Sequence, residues 1–296
     1  MVHIVGSDFT DHSGGPGRAR SFRPKGVLIA PKPDPGAPLF TDVRINQFQF
    51  PFVEPSTRHE VPKHQQMMEP YRMIGKVLFY DGERPGSCTG VMVGSDILLT
   101  AGHCINNKTQ TWSLEFIPAY SAEDAEPWPL GKAHATQCKG VRPKGAPPEI
   151  DYGDIAVCQL NRHIGHEACY LRCLGHLDNQ PYLNGTWYSV GYPNSYKQGN
   201  VPILESGLKV DSCEDMDGTN GYAKWLRTQP YVDEGWSGGP LLGLDGDGWF
   251  VLGVVASVVG VNGPGHYGNL FPTSSLHTGG PGVEALIQQL QINWGK

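Results

Sequence analysis

From about residue 72 onward, the chain is a succession of short apolar runs separated by turn residues. Most runs are four to ten residues long and rich in Val, Ile and Leu, which is typical of β-strands. The clearest runs are 74–80, 90–93, 97–100, 155–160, 187–190, 241–242 and 250–259. Glycine and proline supply 39 and 25 of the 296 residues, too many for a helical bundle and enough for frequent turns. The pattern predicts an all-β sandwich or barrel.

The two ends of the chain depart from this pattern. Residues 1–70 hold 10 prolines, against 15 in the remaining 226 residues. The stretch 31–38, Pro-Lys-Pro-Asp-Pro-Gly-Ala-Pro, excludes a helix or central strand because proline lacks an N–H and fixes φ. We therefore predict an N-terminal extension over 1–70, either a surface arm or a removed pro-segment, and a folded domain over 71–293. Apolar residues at 283, 286, 287 and 290 predict a helix over about 282–293.

Charge and hydropathy exclude several kinds of partner. The formal net charge is -6, so no basic face is expected for nucleic acid or anionic lipid. No apolar run approaches the roughly 18 residues of a membrane span. Residues 1–6, Met-Val-His-Ile-Val-Gly, lack the basic and apolar regions of a signal peptide. We expect no nucleic-acid partner and no membrane association.

Three segments carry residue types suited to amide hydrolysis. Residues 98–104 form an apolar run that ends in a small-residue turn, His103 and Cys104; Asp154 opens the run 155–160; and Ser237 lies in the glycine-rich loop 235–240. A nucleophile, a base and a group that orients the base are the minimum set for this reaction. The backbone N–H groups of Gly235 and Ser237 can serve as donors to an oxyanion.

In this order, the three segments resemble those of the chymotrypsin-fold serine proteases. Residues 100–104, Thr-Ala-Gly-His-Cys, resemble the catalytic-histidine motif, residues 153–157 the aspartate strand and residues 235–240 the nucleophile loop. Residues 189–193, 205–210 and 252–255 resemble the V8-like glutamyl-endopeptidase branch more than digestive trypsins. The resemblance covers about residues 72–293. It implies two antiparallel six-stranded Greek-key β-barrels, over about 71–162 and 180–275.

The resemblance also implies the roles of individual residues. His103 is the general base, Asp154 orients it and Ser237 is the nucleophile. Asp151 is the rival to Asp154, which we prefer because the family's aspartate directly precedes the first apolar pair of its strand. The implied reaction is hydrolysis of peptide bonds in protein or peptide substrates through an acyl-enzyme. It needs no metal or organic cofactor, and we expect a monomer.

Two features depart from the family pattern, the residue before the serine and the residues expected to set specificity. The residue before Ser237 is Trp236, where digestive trypsin-like enzymes have an aspartate that pairs with a new N-terminal ammonium; V8-like enzymes lack that aspartate as well. The positions that would recognise a substrate glutamate are Val232 and Val255, and neither offers a donor to a carboxylate. We therefore expect an apolar or small P1 residue.

The remaining substrate contacts follow from the same resemblance. Asp233 and Glu234 align just inside the nucleophile loop and not at the base of the pocket. Ala256, Ser257 and Val258 form the segment expected to hydrogen-bond the substrate backbone as an added strand.

The seven cysteines indicate an oxidising compartment, so we expect a secreted protein whose leader is missing from this sequence. The resemblance implies a Cys88–Cys104 disulfide, and Cys138–Cys158 is a second candidate between adjacent strands. The His and Cys residues between 163 and 176 have a spacing that zinc sites also show. We favour instead a disulfide between Cys169 and Cys173, or between either of them and Cys213, and expect no metal.

A second class of function stays open at this point. A protein with this fold that has lost catalysis could act as a binding protein. Such proteins usually lack a triad or oxyanion residue, whereas all of them are present here. We therefore rank the endopeptidase first.

Overall fold

The computed structural model describes residues 57–80, 85–105, 113–141, 154–216, 221–229, 232–262 and 270–294. The proline-rich stretch 31–38 and the rival aspartate Asp151 lie outside these residues. Numbered in chain order, the described strands are β1 Thr57–Glu60, β2 Ile74–Tyr80, β3 Pro85–Met92, β4 Ile97–Thr100, β5 Ser113–Pro118, β6 Ala133–Val141, β7 Ile155–Leu160, β8 Arg172–Cys173, β9 Trp187–Gly191, β10 Ile203–Leu208, β11 Val210–Asp215, β12 Lys224–Thr228, β13 Pro240–Asp245, β14 Gly248–Asn262 and β15 Leu270–Gly279. The described α-helices are α1 Lys63–Gln66, α2 Gly165–Ala168, α3 Gln180–Asn184 and α4 Pro281–Trp294.

The first half of the fold is a closed six-stranded barrel in the order β2-β3-β4-β7-β6-β5. Its neighbouring strands are all antiparallel. The barrel closes around apolar side chains that alternate along the strands. Val77, Leu98 and Phe116 are fully buried in its interior cluster. This barrel confirms the first of the two predicted units.

The second half is a nine-stranded sheet with the order β1-β10-β9-β13-β14-β15-β12-β11, and β8 pairs with β14. We expected six strands here. The additional strands are β1 from the N-terminal region, the hairpin strand β11, and the two-residue strand β8. The chymotrypsin-like, two-part β architecture is confirmed. Residues 57–70, which we assigned to the extension, contribute β1 and α1 to the body of the protein.

One core cluster joins the two halves and the C-terminal helix. It includes Val91 and Leu99 from the barrel, Leu242 and Val254 from the second sheet, and Ile287 from α4. Helix α4 has the predicted apolar face and differs from the predicted range by one residue at each end. No helix among the described residues is long and apolar enough to span a membrane.

Two disulfides lie in the barrel. Cys88–Cys104 is formed as the resemblance implied, and Cys138–Cys158 joins directly opposed residues of β6 and β7. Two disulfides of this kind are typical of an oxidising compartment.

The third disulfide that we expected is not formed. Cys169, Cys173 and Cys213 are all free thiols. Cys169 and Cys173 pack without bonding against the cluster that joins the two halves. Cys213 lies against a different cluster inside the second sheet, where its Sγ donates to Asn179 Oδ1 over 3.3 Å. Packing therefore holds Cys213 apart from the other two sulfurs.

Candidate active site

His103 lies in the turn that follows β4. All four residues of β4 are buried, and the chain leaves this strand through a short 3-10 helix, Gly102–Ile105. The Cys88–Cys104 disulfide fixes this turn to β3. The side chain of His103 is 39% exposed. The imidazole is therefore held at its backbone while its ring faces solvent.

Asp154 immediately precedes β7, and the pairing of β7 with β4 brings it next to His103. Its Oδ2 lies 2.5 Å from Nδ1 of His103, and its Oδ1 accepts the backbone N–H of His103 at 2.6 Å. The carboxylate side chain is only 4% exposed. A Cβ on Gly102 would lie 2.7 Å from Asp154 Oδ1, which explains the small residue before the histidine. The two carboxylate oxygens therefore bind the backbone N–H and the ring nitrogen Nδ1 of the same histidine.

Ser237 lies in the loop between residues 232 and 240, against the barrel. Its carbonyl oxygen accepts the N–H of Thr89 at 2.8 Å and lies 3.9 Å from Cys104 Sγ. Cys104 is the neighbour of His103, and its sulfur lies within 4.8 Å of a ring nitrogen of that histidine. The fold therefore brings the three segments that the sequence singled out to one place.

The backbone around Ser237 is folded into two successive turns. The N–H of Trp236 donates to the carbonyl of Asp233 at 3.1 Å, and that of Gly239 donates to the carbonyl of Trp236 at 2.7 Å. Gly235 has φ +91°, and a Cβ there would overlap the carbonyl oxygen of Tyr192. Glycine is therefore required at this position.

The turns leave two N–H groups available in the part of the chain that the structure describes. The hydrogen bonds of the loop engage the N–H groups of Trp236, Gly238 and Gly239, but not those of Gly235 and Ser237. Two such donors on either side of one residue are the arrangement needed to stabilise an oxyanion.

Thr89 on β3 is a residue of the site that the sequence analysis missed. It is fully buried; its Oγ1 donates to the carbonyl of Gly235 at 2.8 Å and accepts the N–H of Tyr192 at 3.0 Å. Together with its backbone bond to Ser237, these bonds make Thr89 a polar link between the barrel and the nucleophile loop. A threonine in a β-strand is ordinary, so the sequence carried no signal for this role.

The predicted substrate segment continues β14 past its partner β13. The pairing of β13 with β14 ends at Pro240 and Val254, and Val255 then exchanges hydrogen bonds with Gly238 and Gly239. Ala256 is buried, whereas Ser257 and Val258 are exposed. Among the described residues, no strand covers this edge of β14 beyond Val255.

Val232 and Val255, the predicted specificity residues, are buried together. They form one cluster with Val201, Ile203 and the fully buried ring of Trp236. The cluster is apolar and lies directly under the nucleophile loop.

His277 on β15 lies opposite Val255 in the register of the strands. It is fully buried, and burial lowers its pKa to about 3. Its Nε2 lies 3.0 Å from Oγ1 of Thr228, while its Nδ1 has no partner in the described structure. The sequence analysis did not identify it, because no motif surrounds it.

Asp233 is bound by two side chains outside the nucleophile loop. Its Oδ2 accepts the hydroxyl of Ser195 at 2.6 Å and an N–H of Arg58 at 3.5 Å. Arg58 and its buried partner Glu205 were not identified from the sequence, since β1 has no apolar pattern.

The histidines and cysteines between 163 and 176 are not gathered into a metal-binding group among the described residues. The rings of His163 and His166 instead stack, with centroids 5.3 Å apart. The group that does come together is Cys88, Cys104 and His103. Its two sulfurs are bonded to each other and supply no thiolate for a metal.

Comparison with solved structures supports the fold. No curated protein matches the sequence of the chain. A solved structure of a Glu endopeptidase in complex with MPD is similar with a TM-score of 0.56 at 20% identity, over 78% of this chain and 95% of that one. A thermostable serine protease, AL20, from an extremophilic microorganism has a TM-score of 0.53 at 18% identity, over 72% of this chain and 94% of that one. At this identity, these likenesses concern the fold.

The family model described as Trypsin matches residues 63–278, which is well over half of the chain and includes all three segments that the sequence singled out. The chain therefore belongs to the trypsin family and is a serine endopeptidase.

Proposed function

We propose that the protein cleaves peptide bonds through a triad of Ser237, His103 and Asp154, with an acyl-enzyme intermediate on Ser237. The observation that carries the proposal is the contact of both Asp154 oxygens with His103, at 2.5 and 2.6 Å. A buried carboxylate in this position sets the tautomer of the imidazole by accepting the proton on Nδ1. Nε2 is then the nitrogen that acts as base.

The proposed reaction has two halves. Nε2 of His103 takes the hydroxyl proton of Ser237 while Oγ bonds to the carbonyl carbon of the substrate. The proton then passes to the leaving amine, the C–N bond breaks, and an ester on Ser237 remains. A water molecule, deprotonated by the same nitrogen, attacks the carbonyl carbon of this ester; the C–Oγ bond breaks, the proton passes from Nε2 to Oγ of Ser237, and the acid product leaves. Asp154 stays ionised and stabilises the imidazolium in both halves.

The negative oxygen of each tetrahedral intermediate is proposed to bind the N–H groups of Gly235 and Ser237. Support comes from the two turns of the loop, which leave these two donors without an acceptor among the described residues. Preorganised donors of this kind often make the largest single contribution to the rate.

The proposed substrate lies along Ala256, Ser257 and Val258 as an added strand, with its P1 side chain toward Val232 and Val255. Both valines belong to an apolar cluster. A charged P1 residue would lose its hydration there without gaining a partner. An apolar or small P1 residue is therefore proposed, unlike the glutamate indicated by the name of the similar Glu endopeptidase.

The place of action is proposed to be extracellular, and the acting form a monomer. The two disulfides of the barrel support an oxidising environment.

The triad is tested with a fluorophosphonate, which forms a stable adduct only with an activated serine. We expect one adduct, on the peptide that contains Ser237, in the wild-type protein. No adduct is expected in Ser237→Ala, and labelling is expected to be far slower in His103→Ala. An unlabelled but folded wild-type protein would favour the alternative, a binding protein with a silent triad.

A further inference from the structure

Strand β1 brings the guanidinium of Arg58 against the turn that precedes Ser237. Arg58 is opposite Glu205 in the pairing of β1 with β10, and its Nη2 and Nε lie 2.8 and 3.2 Å from Glu205 Oε2. Its Nη1 lies 3.5 Å from Asp233 Oδ2. Its Cζ lies 5.2 Å from the ring centroid of Trp236. One side chain from the N-terminal strand therefore contacts β10 and two positions of the turn.

The acidic partners make this cation necessary. Glu205 is fully buried, and its Oε1 has no hydrogen-bond partner in the described structure. Burial raises the pKa of Glu205, and the charge of nearby Asp233 raises it further, whereas the bonds from Arg58 lower it. Without Arg58, the buried Glu205 would lose its ion-pair partner and the charge of Asp233 would still disfavour its ionised form, while Asp233 would keep its bond from the hydroxyl of Ser195.

The contacted positions decide where the two oxyanion donors lie. Asp233 and Trp236 are the first and last residues of the turn, closed by the bond from Trp236 N–H to the Asp233 carbonyl. Gly235 lies inside this turn and Ser237 follows it. The indole of Trp236 is fixed on its other side by its Nε1–H, which donates to Ser189 Oγ at 2.9 Å. Arg58 thus contacts both ends of the turn that contains Gly235 and immediately precedes Ser237.

We propose that Arg58 is a positioning residue for catalysis, which holds the turn 233–236 in the conformation that presents the oxyanion donors. The proposal rests on the proposed function of the same loop. Because Trp236 has no carboxylate, it cannot pair with an N-terminal ammonium. The cation that orders the loop is instead the guanidinium of Arg58. It follows that β1 is part of the active enzyme, and that any proteolytic processing during maturation has to occur N-terminal to Arg58.

The test uses the full chain with three single variants: Arg58→Ala, Arg58→Lys and Arg162→Ala. Arg162 is the matched control, because it also pairs with a glutamate, Glu167 at 2.8 Å, and its exposure is similar, at 39% against 33%. One readout is the limiting rate of labelling by a fluorophosphonate, separated from its half-saturating concentration. The other is hydrogen–deuterium exchange of peptides that cover residues 232–239.

For Arg58→Ala we expect a limiting rate about 100-fold lower, as for loss of an oxyanion donor, and faster exchange confined to residues 232–239. The half-saturating concentration should change little. Arg58→Lys keeps the charge beside Glu205 and should fold, but it lacks the planar fork, so we expect a rate about 10-fold below wild type. Arg162→Ala should match wild type in both readouts.

Two results would overturn the proposal. One is a limiting rate in a folded Arg58→Ala or Arg58→Lys within about twofold of wild type. The other is loop exchange that stays unchanged in the Arg58 variants. Should Arg58→Ala fail to fold, the Arg58→Lys result decides. A wild-type protein that is not labelled would count against the triad alone. Hydrogen–deuterium exchange requires no turnover, so it tests the role of Arg58 in that case as well.

Discussion

The buried imidazole of His277 is expected to make the folded protein sensitive to mild acid. Burial lowers the pKa of His277 to about 3, whereas a histidine in the unfolded chain titrates near about 6.5. Its Nε2 is 3.0 Å from the hydroxyl of Thr228, and no ion pair to it is recorded among the described residues. The neutral ring therefore fits the native state and the charged ring does not.

The sign and size of the effect follow from proton linkage. Because the folded pKa is the lower one, the stabilising contribution is complete above about pH 6.5 and is lost as the pH falls toward about 3. Within this window, each pH unit costs about 1.4 kcal/mol of the free energy of unfolding. Between about pH 6.5 and 5 the loss is therefore about 2 kcal/mol.

The assay compares wild type with His277→Gln, which keeps a hydrogen-bonding group near Thr228 but does not titrate. Urea unfolding with intact disulfides is followed at several pH values from 7 down to 5. Subtracting the two curves removes the contribution of the carboxylates that both proteins share. We expect wild type to lose about 2 kcal/mol more than the variant over this range.

A difference between the two proteins that does not change with pH would refute the reasoning. A second measurement needs no variant. The ring resonances of His277 in the folded wild-type protein should not titrate by NMR between pH 7 and 5. A midpoint inside that range would equally contradict a desolvated, neutral ring.

Three further predictions concern the link between barrel and loop, the orienting carboxylate and the turn. Thr89→Val removes the side-chain partner of the Gly235 carbonyl and of the Tyr192 N–H, which costs about 1–3 kcal/mol, so calorimetry should show a lower Tm. The control Thr136→Val, at an exposed position, should leave the Tm nearly unchanged. Asp154→Asn should lower kcat about 10³- to 10⁴-fold through the wrong histidine tautomer, with near-wild-type stability by circular dichroism. Gly235→Ala places a residue with a Cβ at φ +91° and should lower kcat by about 100-fold or more. The control Gly246→Ala adds a Cβ where there is open space and should leave kcat unchanged in the same peptidase assay.

The sequence predicted best those strands whose buried side is apolar. The runs at 74–80, 97–100 and 155–160 coincide with β2, β4 and β7, since continuous Val, Ile and Leu leave little alternative to a buried strand. Two of the strands that were missed, β15 and β1, have few or no buried apolar side chains among the described residues. In β15 the buried residues include Ser275, His277 and Thr278, and β1 reads Thr-Arg-His-Glu. Such strands are fixed by pairing with their neighbours, which no local pattern reveals.

The same contrast holds for the candidate site. His103, Asp154 and Ser237 carry local motifs, because a strand end, a small-residue turn and a glycine loop leave a signature in neighbouring residues. Arg58 and Thr89 contact the loop over long sequence separations, Arg58 at the carboxylate of Asp233 and Thr89 at the carbonyl of Gly235. Their residue types are ordinary for strands, so only the three-dimensional arrangement identifies them.

The central claim is that the three segments form a working triad that cleaves polypeptides. It is tested most directly by incubating wild type and Ser237→Ala with a denatured proteome and mapping the new termini by mass spectrometry. The account predicts new termini with wild type only, with apolar or small residues at P1. Equal cleavage by both proteins, or none by a folded wild type, would contradict it.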